Sequence, residues 1–219
     1  MAEITTHVCG VAFESVFKIA VLFRGFRCDE ISQKCLEAFA SYGLRPTQIA
    51  VRNGDQVFNY DLSFSLFNGN GTFKISSEKL EVSLQNVNSE KDWEIVQDCL
   101  AKFYEHVPLP EIEHTLITSN AHAAFASDEA MQQYLSQYAN PARQIVSGGA
   151  IANILCPNWP TEIRLAAERS LAYPASLFLM WTTTHRGDKI TRNVLTSVKS
   201  AFEESAAKLD LTLARTNRP

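Results

Sequence analysis

His114 and His122 are two imidazoles at an even spacing, which at first resembles a paired site on one side of a strand. Eight residues of extended strand span roughly 26 Å, however, so the two rings are too far apart to share a metal ion. No other histidine, cysteine or acidic residues cluster at ligand spacing. The sequence therefore predicts no metal site and no cofactor.

A second candidate site is the pair His185 and Arg186, which connects an apolar predicted strand to the last predicted helix. An anion could be held there by helix amides and the guanidinium together. The alternative is an ordinary turn in which Asp188 or Thr191 caps the helix, and capping is the more common use of such residues. His185 and Arg186 are predicted as binding residues, with both interpretations open.

The segment Cys156-Pro157-Asn158-Trp159-Pro160 is the most unusual short stretch of the chain. Two prolines brace Trp159, and aromatic side chains on rigid loops are favoured anchors at interfaces. The alternative is that Trp159 packs onto the protein's own core, since large aromatic residues are mostly buried. The sequence offers Cys156 no neighbouring base that would form a thiolate. Trp159 is therefore a predicted binding residue, and no catalytic residue is predicted.

Familiar catalytic motifs are absent from the sequence. It contains no G-x-S-x-G, no G-x-x-x-x-G-K-[ST], no H-E-x-x-H and no D-x-D-x-D-G. Gly148-Gly149 precedes a predicted strand and not a helix, so the helix dipole that would hold a phosphate is missing. The question of an enzyme stays open, with the sequence leaning against one.

The composition is that of an ordinary globular protein, with 46% hydrophobic and 20% charged residues among 219. A chain of this length can bury roughly 70% of its unfolded surface as one unit, so residues 1–219 are predicted to form a single domain. The 24 acidic and 20 basic side chains are interleaved, giving a net charge of −4 without a basic patch. Nucleic acid is therefore not expected as a partner.

A cytoplasmic location is predicted from two features. The N-terminus has no basic and apolar signal sequence, and no apolar stretch approaches the roughly 20 residues that span a bilayer. The five cysteines are odd in number and form no C-x-x-C pair, so a disulfide framework is not expected. The sequence thus predicts no membrane partner.

Four helices are predicted from apolar periodicity and capping residues. They begin or end at recognisable signals, such as Ser89 to Asp92 before the second helix and Pro108 after it. The predicted helices are Asp29 to Tyr42, Ser89 to Val107, Ser127 to Tyr138 (before Asn140-Pro141) and Lys189 to Leu209.

Strands alternate with these helices, and Val57 to Phe67 is the clearest, with apolar and polar residues at period two. Asn68-Gly69-Asn70-Gly71 tolerates positive φ and predicts a hairpin turn within Asp55 to Gln85. Further strands are predicted at Ser15 to Phe26, Gln48 to Arg52, Thr72 to Gln85, Ile112 to Ala124, Gln144 to Cys156, Glu162 to Ser170 and Ala175 to Thr184.

These elements predict an α+β fold with a mainly antiparallel sheet and four helices packed largely on one face. The order reads β-α-β-β-β-α in residues 8–107 and again in residues 110–213. One interpretation is an internal duplication, and the other is a chance agreement of element order.

Two functions are compatible with these features. The first is a non-enzymatic, cytoplasmic protein-interaction module that binds a protein partner or self-associates as a homodimer. The alternative is a small-molecule-binding protein or enzyme with a pocket between the sheet and the C-terminal helix.

Overall fold

The structure, a computed structural model, describes residues 2–18, 28–53, 60–87, 89–137, 149–187 and 189–214. In residues 2–9, 28, 53, 60 and 212–214 it describes the backbone only. None of the helices in these ranges is long and apolar enough to cross a membrane.

The fold is α+β, as predicted, and its centre is one large sheet of ten strands. Nine strands are antiparallel, in the order β2-β3-β4-β5-β1-β6-β9-β8-β7, and β10 pairs parallel with the beginning of β1. The strands are β1 (Ala2–Phe17), β2 (Ile49–Asn53), β3 (Tyr60–Leu66), β4 (Gly71–Ile75), β5 (Lys79–Gln85), β6 (Ile112–Ala124), β7 (Ala150–Ile154), β8 (Ile163–Arg169), β9 (Ser176–His185) and β10 (Leu211–Ala214).

In the described ranges four α-helices connect the strands: α1 (Cys28–Phe39), α2 (Glu90–His106), α3 (Asp128–Ser136) and α4 (Arg192–Ala207). Side-chain caps begin three of them, because a hydroxyl accepts an amide hydrogen that has no partner within the helix. The predicted capping box is confirmed at α2, where Ser89 accepts from the amide of Asp92 and the Asp92 carboxylate accepts from the amide of Ser89.

The helices α1 and α2 cover one side of the N-terminal part of the sheet. The ring of Phe39 lies 5.4 Å from that of Phe64 and 5.1 Å from that of Phe73. The hydroxyl of Tyr104 is 3.0 Å from Ser15 Oγ at the centre of the sheet. Aromatic packing and a satisfied buried hydroxyl therefore fix both helices to the same face.

The helices α3 and α4 cover the C-terminal part of the sheet on that same side. Tyr134 of α3 places its ring 5.5 Å from Phe125, which follows β6. Phe202 of α4 is buried, and its ring lies 5.9 Å from Trp181 of β9. The prediction that the last helix docks on the preceding strand is confirmed, and four helices lie on one face.

Two predicted strands differ from the structure. Thr72 to Gln85 is two strands, β4 and β5, because the chain turns between them at Ser76. The hydroxyl of Ser76 accepts the amide hydrogens of Glu78 and Lys79, which makes a turn without glycine or proline. The strand predicted at Ser15 to Phe26 corresponds to the end of β1, which stops at Phe17, and residues 19–26 of that prediction lie outside the described part.

The proposed duplication is not confirmed. The described part of the N-terminal half has four strands between its two helices, whereas the C-terminal half has three and ends in the extra strand β10. The last helix begins at Arg192, after the cap Thr191, and not at Lys189.

Candidate functional site

Trp159, predicted as an exposed anchor or as a core residue, is buried. Its indole Nε1 donates a hydrogen bond of 2.7 Å to Thr183 Oγ1, and Thr183 in turn donates to the carbonyl oxygen of Glu162 at 2.8 Å. Cys156 at the start of the same loop is also buried, and burial raises the pKa of its thiol. A binding role of Trp159 stays a prediction.

His185 and Arg186 lie beside that loop. The His185 ring is 6.1 Å from the ring of Trp159, and burial lowers the pKa of the imidazole. Arg186 is exposed. Thr191 Oγ1 accepts a hydrogen bond from the amide of Val194 and so caps α4, as one of the two interpretations of this segment predicted. The other predicted cap, Asp188, lies outside the described residues. An anion held by His185 and Arg186 stays a prediction.

The space between the sheet and α4 is filled by side chains. Trp181, Leu195, Val198 and Phe202 are all buried there, and Trp181 Nε1 donates to Ser205 Oγ at 3.0 Å. Clefts of about 380 and 620 Å³ lie elsewhere, at the end of α2 and at the β2 edge of the sheet. Among the described residues, the aromatic side chains of this region belong to the core, and neither of these two clefts lies at the predicted location of the ligand pocket.

The other side of the sheet carries no helix among the described residues. Side chains alternate between the two sides of each strand. In β8, for example, Ile163, Leu165 and Ala167 are buried under the helices, whereas Arg164 and Glu168 on the other side are exposed. We call the side chains that point away from the helices the open face.

One row of the open face crosses eight neighbouring strands and consists mostly of small polar side chains. Each member lies directly opposite the next in the strand register. Adjacent strands are about 4.8 Å apart, so the row is roughly 34 Å wide. We call it the hydroxyl row, and its members are Ser65, Thr72, Ser83, Ala12, Thr118, Thr182, Arg164 and Asn153.

The N-terminal part of the open face carries charges that neutralise one another. Lys79 Nζ lies 2.9 Å from Glu14 and 3.0 Å from Glu81, and Lys74 Nζ lies 3.0 Å from Asp61. Hydrogen bonds to the two glutamates raise the pKa of Lys79. Each of these carboxylates has a lysine partner, and the two lysines and three carboxylates together carry a net charge of −1.

The C-terminal part of the open face is less charged and more apolar. Glu168 is the one carboxylate that β7, β8 and β9 present there in the described residues. Arg164 is exposed and lies opposite Thr182. Met180 is 37% exposed. A ligand on this part of the face would meet uncharged hydrogen-bonding groups, a guanidinium and a thioether.

Three rings lie together at one corner of the open face. The His122 ring is 4.7 Å from that of Tyr173 and 5.2 Å from that of Phe178. Tyr173 is 38% exposed, in the turn between β8 and β9. We call His122, Tyr173 and Phe178 the ring cluster. The sequence interpretation treated His122 as an isolated polar residue and did not single out the other two rings.

Comparisons with known proteins identify no family. No family model and no curated protein matches the sequence. A solved structure of a rolling circle replication initiator protein from Geobacillus stearothermophilus is similar to this chain with a TM-score of 0.36 and 10% identity. The similarity covers 99% of this chain and 88% of that one.

That neighbour contradicts two predictions made from the sequence. The predictions of a protein-interaction module and of no nucleic-acid partner differ from the replication function that the name of this neighbour gives, and both are withdrawn. The sequence shows the charges only as interleaved, whereas in the structure Lys74 and Lys79 of the open face pair with carboxylates.

Proposed function

We propose that the protein binds nucleic acid on the open face of its sheet. The observation that carries the proposal is the hydroxyl row, a line of hydrogen-bonding side chains in register across eight strands. A surface of this kind offers donors and acceptors at regular spacing over roughly 34 Å.

The chemistry of the row suits a nucleic acid better than the apolar core of a protein interface. Serine, threonine, asparagine and arginine side chains supply many of the hydrogen bonds that proteins make to phosphate and sugar oxygens. Sheets are also established platforms for nucleic acids, in both grooves of DNA and on single-stranded RNA. The large apolar residues needed at the centre of a protein interface are few on this row.

The charge of the face sets the expected strength of binding. Arg164 is the exposed cation within the row, whereas Lys74 and Lys79 are engaged by carboxylates. Few phosphates would be neutralised, so we expect moderate affinity with a shallow dependence on salt. In Arg164→Ala, the slope of log affinity against log salt should decrease by about one unit.

The proposal is tested by fluorescence anisotropy with a labelled oligonucleotide, single-stranded and as a duplex. Thr182→Glu places a carboxylate within the hydroxyl row, beside Arg164, and should weaken binding by roughly 10-fold or more through repulsion of phosphate. Thr196→Glu makes the same chemical change on the exposed side of α4 and is the matched control. Absence of saturable binding by the parent, or equal binding by Thr182→Glu, would show that the proposal is wrong.

We propose in addition that the protein is located in the cytoplasm, which is a reducing compartment. Cys35, Cys99 and Cys156 are free and buried in the structure. Their state supports a protein that folds without disulfides.

A further inference from the structure

We propose that the ligand is a single-stranded nucleic acid whose bases stack on the ring cluster. This inference rests on the proposed function and specifies its substrate class. It is carried by the three neighbouring rings at the corner of the open face, two of them in a half-buried position and one 38% exposed.

The ring cluster is built on rigid parts of the sheet. His122 on β6 and Phe178 on β9 are direct partners in the strand register, and their ring centroids are 5.2 Å apart. Tyr173 contacts His122 from the turn, with its ring 4.7 Å from the imidazole at an angle of 68°. Two rings held by the sheet and one held by a turn form a platform of fixed shape.

Ser170 holds the turn and the histidine together. Its Oγ accepts the amide hydrogens of Ala172 and Tyr173, each at 3.1 Å, and lies 3.0 Å from Nδ1 of His122. With two amides occupying its lone pairs, the serine hydroxyl has its own proton left to offer to Nδ1. The hydroxyl of one buried serine thus orients both Tyr173 and His122.

Ring platforms favour single strands for a geometric reason. In a duplex both faces of each base are covered by the neighbouring base pairs, whereas a single strand can turn a base onto a side chain. Stacking of a base on an aromatic side chain tolerates any sequence, because every base has a π-face. The ring cluster therefore points to a ligand with unpaired bases and to recognition without strict sequence preference.

The ring cluster and the hydroxyl row are close enough to contact one strand. On β9, the open-face residues Phe178, Met180 and Thr182 follow one another at intervals of roughly 6.6 Å. Thr182 belongs to the hydroxyl row and lies opposite Arg164. A single strand can place bases on the rings while its sugar and phosphate groups reach Thr182 and Arg164, with Met180 between the two.

The test compares one fluorescein-labelled oligonucleotide of about 12 nucleotides, single-stranded and annealed to its complement, against the parent and three variants. Tyr173→Ala should weaken single-strand binding by roughly 10-fold, because a stacking partner is lost. Tyr173→Phe keeps the ring and should bind as the parent does. Leu171→Ala, in the same turn and fully exposed, is the matched control without a ring. Thermal melting establishes that each variant is folded.

The outcomes separate this inference from the proposed function. The inference is supported if the parent binds the single strand more tightly than the duplex and if, among the three variants, only Tyr173→Ala loses affinity for the single strand. Equal binding of the duplex, or unchanged binding by Tyr173→Ala, overturns the inference while the proposed function stands. No binding of either form by the parent overturns both.

Discussion

Trp159 Nε1 donates a hydrogen bond of 2.7 Å to Thr183 Oγ1, and both side chains are buried on the helix side of the sheet. Thr183 also donates to the Glu162 carbonyl, and its hydroxyl is 3.0 Å from that of Thr161. The proline-braced loop is therefore fixed to β9 by a polar network whose members satisfy one another.

Removing the acceptor of this bond should destabilise the protein. In Thr183→Val the buried indole N–H of Trp159 loses its partner, and the free energy of unfolding should decrease by about 1–3 kcal/mol. Thr182→Val changes the adjacent residue on the open face and should alter stability by less than about 0.5 kcal/mol. Urea denaturation measures both. Equal stability of Thr183→Val and the parent would mean that the network contributes nothing.

Phe202 anchors α4 to the sheet, since it is buried against Trp181. Phe202→Ala leaves a cavity, and we expect the free energy of unfolding to decrease by about 3–5 kcal/mol. Ser200→Ala on the exposed side of the same helix should change it by less than about 0.5 kcal/mol. A Phe202→Ala protein that melts within a few degrees of the parent would contradict this packing.

The buried thiols should be inert in the folded protein. Burial raises the pKa of Cys35 and of Cys99 to about 12, so at pH 8 both are almost entirely in the unreactive thiol form. Iodoacetamide labelling followed by mass spectrometry should modify neither residue before denaturation. Under denaturing, non-reducing conditions we expect five reactive thiols, as predicted from the sequence. Rapid labelling of Cys35 or Cys99 in the native protein, or three thiols in the denatured one, would contradict these expectations.

Asp98 of α2 should contribute a pH-dependent part of the stability. Partial burial acts to raise the pKa of its carboxyl, but hydrogen bonds from Tyr42 at 2.5 Å and from Lys102 outweigh burial, so the pKa lies below its ordinary value. A lowered pKa stabilises the folded state above about pH 4, and this contribution disappears as the pH decreases through the folded pKa.

The comparison of Asp98→Asn with the parent isolates this contribution. Between about pH 6 and pH 2, the free energy of unfolding should decrease more in the parent than in the variant, by roughly 0.5 kcal/mol. The difference is small because the Asp98 side chain is 32% exposed and solvent screens its contacts. Urea denaturation across this range is the measurement. Parallel curves for the two proteins would show that the Tyr42 and Lys102 contacts do not favour the ionised carboxyl.

Much of the fold could be predicted from local pattern. The strand Ile112 to Ala124 was predicted with the bounds that the structure has. The start of α2 followed from its capping box. The turn at Ser76 was missed because a serine hydroxyl replaces the glycine or proline that usually marks such a turn.

Long-range pairing explains what the sequence could not predict. The strand β10 forms by pairing with Ala2–Thr5 at the opposite end of the chain. The hydroxyl row and the ring cluster exist only through the register of neighbouring strands, such as His122 opposite Phe178. One visible signal was available for Tyr173, a tyrosine preceding a proline in a turn between two predicted strands.

The most direct test of nucleic-acid binding on the open face uses the methyl groups of four threonines. Thr118 and Thr182 belong to the hydroxyl row, whereas Thr115 and Thr183 are buried on the other side of the same strands. NMR spectra of threonine methyl groups, recorded during titration with the single-stranded oligonucleotide, should show saturable shifts at Thr118 and Thr182 and much smaller shifts at Thr115 and Thr183. Spectra that do not change at saturating oligonucleotide, or that change at the helices and not at Thr118 and Thr182, would contradict binding on this face.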